Sequence, residues 1–212
     1  MQVSRPTQAF AFFCFVIAIY LSIGGYLQLR WGLSALAFNE IVFLLLPSLA
    51  FVSLSGLKVR RTLPLALPSL KDALIVLVAT AAVIIPMEIL VEYQEKIWPV
   101  PQAVETFYQK LILRKSYAES IFKFFILALI PAVCEETFFR GVLHSLFRES
   151  FGRVGTVVLT AVLFGVAHAN PWYFPYYLVL GLFLSGVREW RNNLALCMLA
   201  HFGNNLYSIY GQ

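Results

Sequence analysis

Apolar runs of about twenty residues recur along this chain, and they constrain its fold more than any other feature. A helix that crosses a bilayer needs roughly 20 mostly apolar residues. Seven stretches qualify or nearly do: Ala9–Leu29, Leu33–Leu57, Ala73–Leu90, Ile121–Phe147, Val154–Ala169, Tyr176–Val187 and Leu194–Tyr210. The sixth is short unless Trp172–Pro175 joins it, and Pro86 predicts a kink in the third. Arg5 alone flanks the first run, which has no small-residue cleavage pattern and so reads as an anchor. Between the third and fourth runs, Glu92–Glu119 mixes aromatic and charged residues with rough helical spacing. It reads as an interfacial amphipathic segment. The expected fold is an all-α polytopic transmembrane bundle of about seven spans (six to eight), with residues 1–212 forming one integral membrane domain.

Composition agrees. Of 212 residues, 60% are hydrophobic and 13% are charged, and the mean hydropathy is +0.77. A soluble domain carries about 25% charged residues, so this chain lacks the polar surface to coat a water-exposed globule, and it is too apolar for disorder. The net charge of +5 resides largely in short loops and needs no nucleic acid to explain it. Lys58, Arg60, Arg61 and Lys71, then Arg148 and Arg153, then Arg188 and Arg191 fall on one side of a seven-span arrangement, together with Arg5. The positive-inside rule then predicts a cytoplasmic N-terminus, in a plasma (inner) membrane. Trp31, Trp98, Trp172 and Trp190 fall near expected helix ends, as an aromatic belt requires. Cys14, Cys134 and Cys197 lie in apolar runs without a C-x-x-C pair and read as small buried hydrophobes.

The informative residues are the polar ones inside these runs, because intramembrane ionisable groups default to function. The fourth run contains Cys134-Glu135-Glu136-Thr137-Phe138-Phe139-Arg140. Adjacent helical residues point about 100° apart, so the two glutamates cannot share a role. Glu136 precedes Arg140 by four residues, the favourable order for an ion pair. Glu135 is left without a local partner and is available as a general base. The fifth run ends in Phe164-Gly165-Val166-Ala167-His168, and small residues there permit close helix approach. In the seventh, His201 and Asn205 are four apart and share a face, whereas Asn204 points elsewhere. His144 is expected near the cytoplasmic interface. A carboxylate, two imidazoles and an amide drawn from three helices can hold and deprotonate a water and stabilise an oxyanion. In a bilayer, that chemistry suits peptide hydrolysis.

The ordered motifs EExxxR (Glu135, Glu136, Arg140), FxxxH (Phe164, His168) and HxxxN (His201, Asn205) resemble the CPBP family of intramembrane proteases, also called the CAAX-protease and bacteriocin-processing (Abi) family. The resemblance covers a motif-bearing core of about residues 120–210. It implies an endopeptidase acting on a prenylated CAAX-type protein or another membrane-associated protein or peptide. By the same resemblance Glu135 and His168 activate water, His201 and Asn205 stabilise the oxyanion, and Glu136 and Arg140 support and orient them.

A metal-free glutamate–water mechanism requiring no cofactor is the preferred expectation. A catalytic divalent metal such as zinc, held by Glu135, His168 and His201, is the alternative, although the compact HExxH signature is absent. Two other functions use the same residue types. A proton-coupled transporter needs intramembrane Glu, Arg and His but usually shows internal repeats, and none is visible. A non-catalytic scaffold or immunity subunit would use them only to hold helices together. The expected partners are a membrane-anchored protein or peptide substrate and the lipid bilayer.

Overall fold

The computed structural model describes residues 4–113 and 116–211. All regular structure among the described residues is helical. Helices α1 (Arg5–Trp31) and α2 (Leu33–Leu54) form an N-terminal hairpin. Gly32 joins them at φ +60°, a backbone conformation that disfavours a side chain. Ser4 starts α1 by capping the Thr7 amide. A loop carrying one turn at Val59–Thr62 leads to α3 (Leu70–Ile97), where Ser69 Oγ accepts from the Asp72 amide at 3.1 Å. Helix α4 (Gln102–Ile112) is short, amphipathic and without a fully buried residue.

The next helical stretch, Tyr117–Ala167, is 51 residues long, but Gly152 at φ 65° and ψ −169° breaks it. Arg140 and Phe164 lie equally far in sequence on either side of Gly152, yet the Arg140 guanidinium carbon sits 4.5 Å from the Phe164 ring centre. The chain therefore doubles back at Gly152, giving antiparallel α5 (117–151) and α6 (153–167). Helices α7 (Phe174–Arg191) and α8 (Leu194–Tyr210) complete the bundle. The left-handed Asn192 ends α7, and the Asn193 side chain caps α8 through the Ala195 amide at 2.9 Å. Among the described residues, four stretches, Arg5–Trp31, Leu33–Leu54, Leu70–Ile97 and Tyr117–Ala167, are long and apolar enough to cross a membrane. With the reversal at Gly152 and the two shorter C-terminal helices, the fold is an all-α membrane bundle.

The core gathers Phe138, Phe139, Phe147 and Phe164 of α5 and α6 with Leu184 and Leu196 of α7 and α8, all nearly inaccessible. Phe13 of α1 stacks on Phe138. Gly181 lets α7 press against α6, because a Cβ there would come within 2.8 Å of the Ala161 Cα.

Several boundaries differ from the sequence reading. Helix α3 continues through Pro86 to Ile97, so Glu92–Glu119 is not one amphipathic unit. Its first residues complete α3, and only Gln102–Ile112 is a separate amphipathic helix. Hydropathy alone ended α3 at the first glutamates, but a helix of 28 residues is about 42 Å long and outruns the hydrocarbon. Cys14 is exposed on α1, whereas Cys134 and Cys197 are buried.

Among the described residues, four π-helical segments interrupt the helices: Tyr20–Gly24, Glu40–Leu45, Phe124–Leu129 and Thr137–Leu143. Such widened turns concentrate at functional sites. Two of them begin at Tyr20 and Glu40, and a third directly follows Glu136.

Candidate active site

Glu136 and Arg140 form the buried floor of the polar cluster. Both are 0% exposed. Arg140 Nη1 donates to Glu136 Oε1 at 2.9 Å, and His201 Nδ1 lies 2.9 Å from the same oxygen. A carboxylate that is ion-paired to arginine only accepts, so His201 donates through Nδ1 and its Nε2 is left for other work. Arg140 Nη2 donates to the Gly181 carbonyl at 3.1 Å, and Arg188 Nε donates to the Arg140 carbonyl at 3.0 Å. The Phe164 ring covers the guanidinium. Removing one partner from such a buried pair typically costs about 3–5 kcal/mol, because a charge is left uncompensated.

Glu135 turns the other way. Its side chain is 14% exposed, and its Oε2 lies 3.9 Å from His168 Nε2, too far for a direct hydrogen bond. That oxygen has no protein hydrogen-bond partner. His168 is held firmly. Its Nδ1 donates to the Phe164 carbonyl at 2.8 Å, since a carbonyl can only accept, and its ring stacks on Tyr177 at 3.8 Å between centres. Phe164 thus serves three groups at once: its carbonyl orients His168, and its ring faces both Arg140 and, edge-on at 5.8 Å, His201. That is the physical content of the FxxxH spacing.

Glu135, His168, His201 and Asn205 all line one cavity of about 1200 Å³. Asn204 lines it too, contrary to the expectation that it points elsewhere. It is buried, accepts from the Tyr176 hydroxyl at 3.0 Å and lies 3.5 Å from the Asn205 side-chain oxygen. A residue adjacent to a motif can still share the cavity wall when a neighbouring helix supplies a long polar partner. His144 does not join this site. It is buried near the opposite end of α5, with Nε2 2.9 Å from Glu189 Oε1, in a cluster that includes Arg148 and Arg153.

The cavity extends from the Glu135–His168 pair to the end of the bundle formed by α4 and the end of α3, where Glu88, Glu92, Glu95, Glu105 and Tyr108 line it. Asn170 Nδ2 donates to the Tyr108 hydroxyl at 2.8 Å, and Gln94 donates to the Trp172 carbonyl. These two bonds tie α4 and α3 to the loop that carries His168. Across the cavity, the Tyr20 hydroxyl donates to Glu40 Oε1 at 2.6 Å. Glu40 lies in the second apolar run and, like Tyr20, Tyr176 and Tyr177, belongs to none of the sequence motifs. A lone glutamate with no motif offered one signal, its presence in an apolar run, and the tyrosines offered none.

Glu135, His168 and His201 share the cavity wall, but His201 Nδ1 is engaged by Glu136. No group of three or more His, Cys, Asp or Glu side chains able to hold a metal ion occurs among the described residues.

A family model described as type II CAAX prenyl endopeptidase Rce1-like matches residues 117–207. The match begins at the start of α5 and ends within α8, so it contains Glu135, Glu136, Arg140, His168, His201 and Asn205, and it omits α1 to α4. Neither the curated proteins nor the solved structures give a match. Residues 117–207, which carry all three motifs, are accordingly similar to the Rce1-like type II CAAX prenyl endopeptidases.

Proposed function

We propose that this protein is an intramembrane endopeptidase that hydrolyses a peptide bond of a membrane-associated or prenylated (CAAX-type) protein or peptide. The observation that carries this reading is the division of labour between adjacent glutamates. Glu136 is locked by Arg140 and His201, while Glu135 faces His168 in the cavity with an oxygen left over.

In this mechanism a water held between Glu135 and His168 Nε2 gives up a proton as its oxygen attacks the scissile carbonyl carbon. The carbonyl oxygen becomes an oxyanion and meets the Asn205 amide, with His201, oriented by Glu136, beside it on the same cavity wall. As the intermediate collapses, the carbon–nitrogen bond breaks. The proton taken from water passes to the departing amine, leaving a new carboxylate and a new amine. Glu136 and Arg140 act by positioning, since neither has an exposed atom to offer substrate. No metal or cofactor is required in this scheme.

The proposed location is a plasma (inner) membrane with the N-terminus cytoplasmic, on the strength of the basic loops. In that orientation the cavity reaches toward the non-cytoplasmic end. Comparative proteomics of protein C-termini and membrane peptides, with and without a Glu135→Gln variant, tests the reading. Termini that vanish with the variant support it. Identical peptide sets contradict it.

A further inference from the structure

We infer that the chamber is built for a cationic peptide, and that Glu40 is the residue that receives a lysine or arginine side chain near the scissile bond. The inference rests on the protease reading only in treating the ligand as a substrate.

Among the described residues, the cavity is lined by six glutamates (Glu40, Glu88, Glu92, Glu95, Glu105 and Glu135) and by no lysine or arginine. Glu88, Glu92 and Glu95 recur at helical spacing on one face of α3. None of the four rim glutamates, those on α3 and Glu105 of α4, takes part in an ion pair among the described residues. An acidic wall of this kind concentrates cations at its mouth.

Glu40 supplies the second, independent observation. It is 2% exposed. Its Oε1 is held by the Tyr20 hydroxyl, while its Oε2 is buried and has no protein partner. A buried carboxylate oxygen left unsatisfied costs free energy. Among the described residues, Glu40 is the one fully buried carboxylate that lines the chamber, because Glu135 is partly exposed and Glu136 lies in the floor. A cation that enters along the rim and seats on Glu40 Oε2 satisfies that oxygen in a water-poor setting, where opposite charges attract strongly. Tyr20 fixes the geometry, so the acceptor is preorganised. An uncharged substrate leaves Glu40 as it is and gains nothing from the rim.

Binding and cleavage are measured separately on the full chain in lipid nanodiscs. The binding probe is a fluorescent acylated peptide, Leu-Ala-Lys-Ala-Leu-Ala-Leu, alongside the same peptide with norleucine for lysine, each titrated into the cleavage-dead Glu135→Gln protein. The lysine peptide is expected to bind about 10-fold or more tightly than its isostere, a difference of about 1.4 kcal/mol. Adding Glu40→Gln should reduce that preference to less than about 3-fold, at an unchanged thermal midpoint. Should Glu40→Gln fail to fold, Glu88→Gln/Glu92→Gln, at half-buried and exposed positions, should lower the preference and make it less salt-dependent. Equal binding of the two peptides, binding of neither, or a preference that survives these substitutions overturns the inference. Cleavage of both peptides by the wild-type protein with equal KM would also overturn it while leaving the protease reading intact. Cation-selective binding with no cleavage of any peptide would sustain the Glu40 site and sink the protease reading.

Discussion

His168 Nε2 stands 3.9 Å from Glu135 Oε2, although the two residues lie on different helices. They meet because Gly152 folds α5 against α6, and both lie nearly the same number of residues from that reversal. The Phe164 carbonyl and the Tyr177 ring then hold the imidazole facing the carboxylate. Glu136, one residue away, faces Arg140 and His201 instead.

Glu136 is therefore expected to govern stability more than chemistry. Glu136→Ala leaves Arg140 buried and uncompensated, and should cost about 3–5 kcal/mol. Thermal unfolding in detergent should show a clearly lower midpoint than for Glu135→Gln. Equal midpoints for the two variants would contradict this assignment.

The fold class was legible because apolar runs of the right length leave few alternatives in a bilayer. Individual helix boundaries were less so. The outer part of α3 carries glutamates that hydropathy reads as loop, yet backbone hydrogen bonding carries the helix to Ile97. The Glu136–Arg140 bond follows from four-residue spacing alone. The meeting of Glu135 with His168 does not. They lie on separate runs, and the reversal at Gly152 brings them level. Glu40 and Tyr20 stayed hidden because nothing in the sequence says that α1 and α2 wall the chamber.

Asn205 tests the oxyanion role. It lines the cavity and its contact is with its neighbour Asn204, so truncation should be tolerated by the fold. Asn205→Ala should lower kcat by about 10²–10³, the usual cost of one oxyanion donor, with little change in KM. A change confined to KM would assign Asn205 to substrate binding.

Metal independence is a separate expectation. Activity should persist after treatment with EDTA and 1,10-phenanthroline, and elemental analysis of the active protein should find no stoichiometric metal. Stoichiometric zinc whose removal ends activity and whose return restores it would replace the glutamate–water scheme with one based on Glu135, His168 and His201.

Orientation is checked by single-cysteine labelling of intact cells, in a background where Cys14, Cys134 and Cys197 are replaced by serine. Leu67 and Ile97 are highly exposed, at 98% and 85%, at opposite ends of the bundle. A membrane-impermeant maleimide should label Ile97→Cys and spare Leu67→Cys. The reverse pattern would put the chamber mouth at the cytoplasmic face.

The most direct measurement is turnover by purified Glu135→Gln protein on a peptide that the wild-type protein cleaves. A positioned general base contributes about 10²–10⁴-fold, and in the proposed scheme Glu135 also holds the attacking water. The account predicts loss of cleavage to background at an essentially unchanged thermal midpoint. Cleavage by Glu135→Gln at the wild-type rate would contradict it.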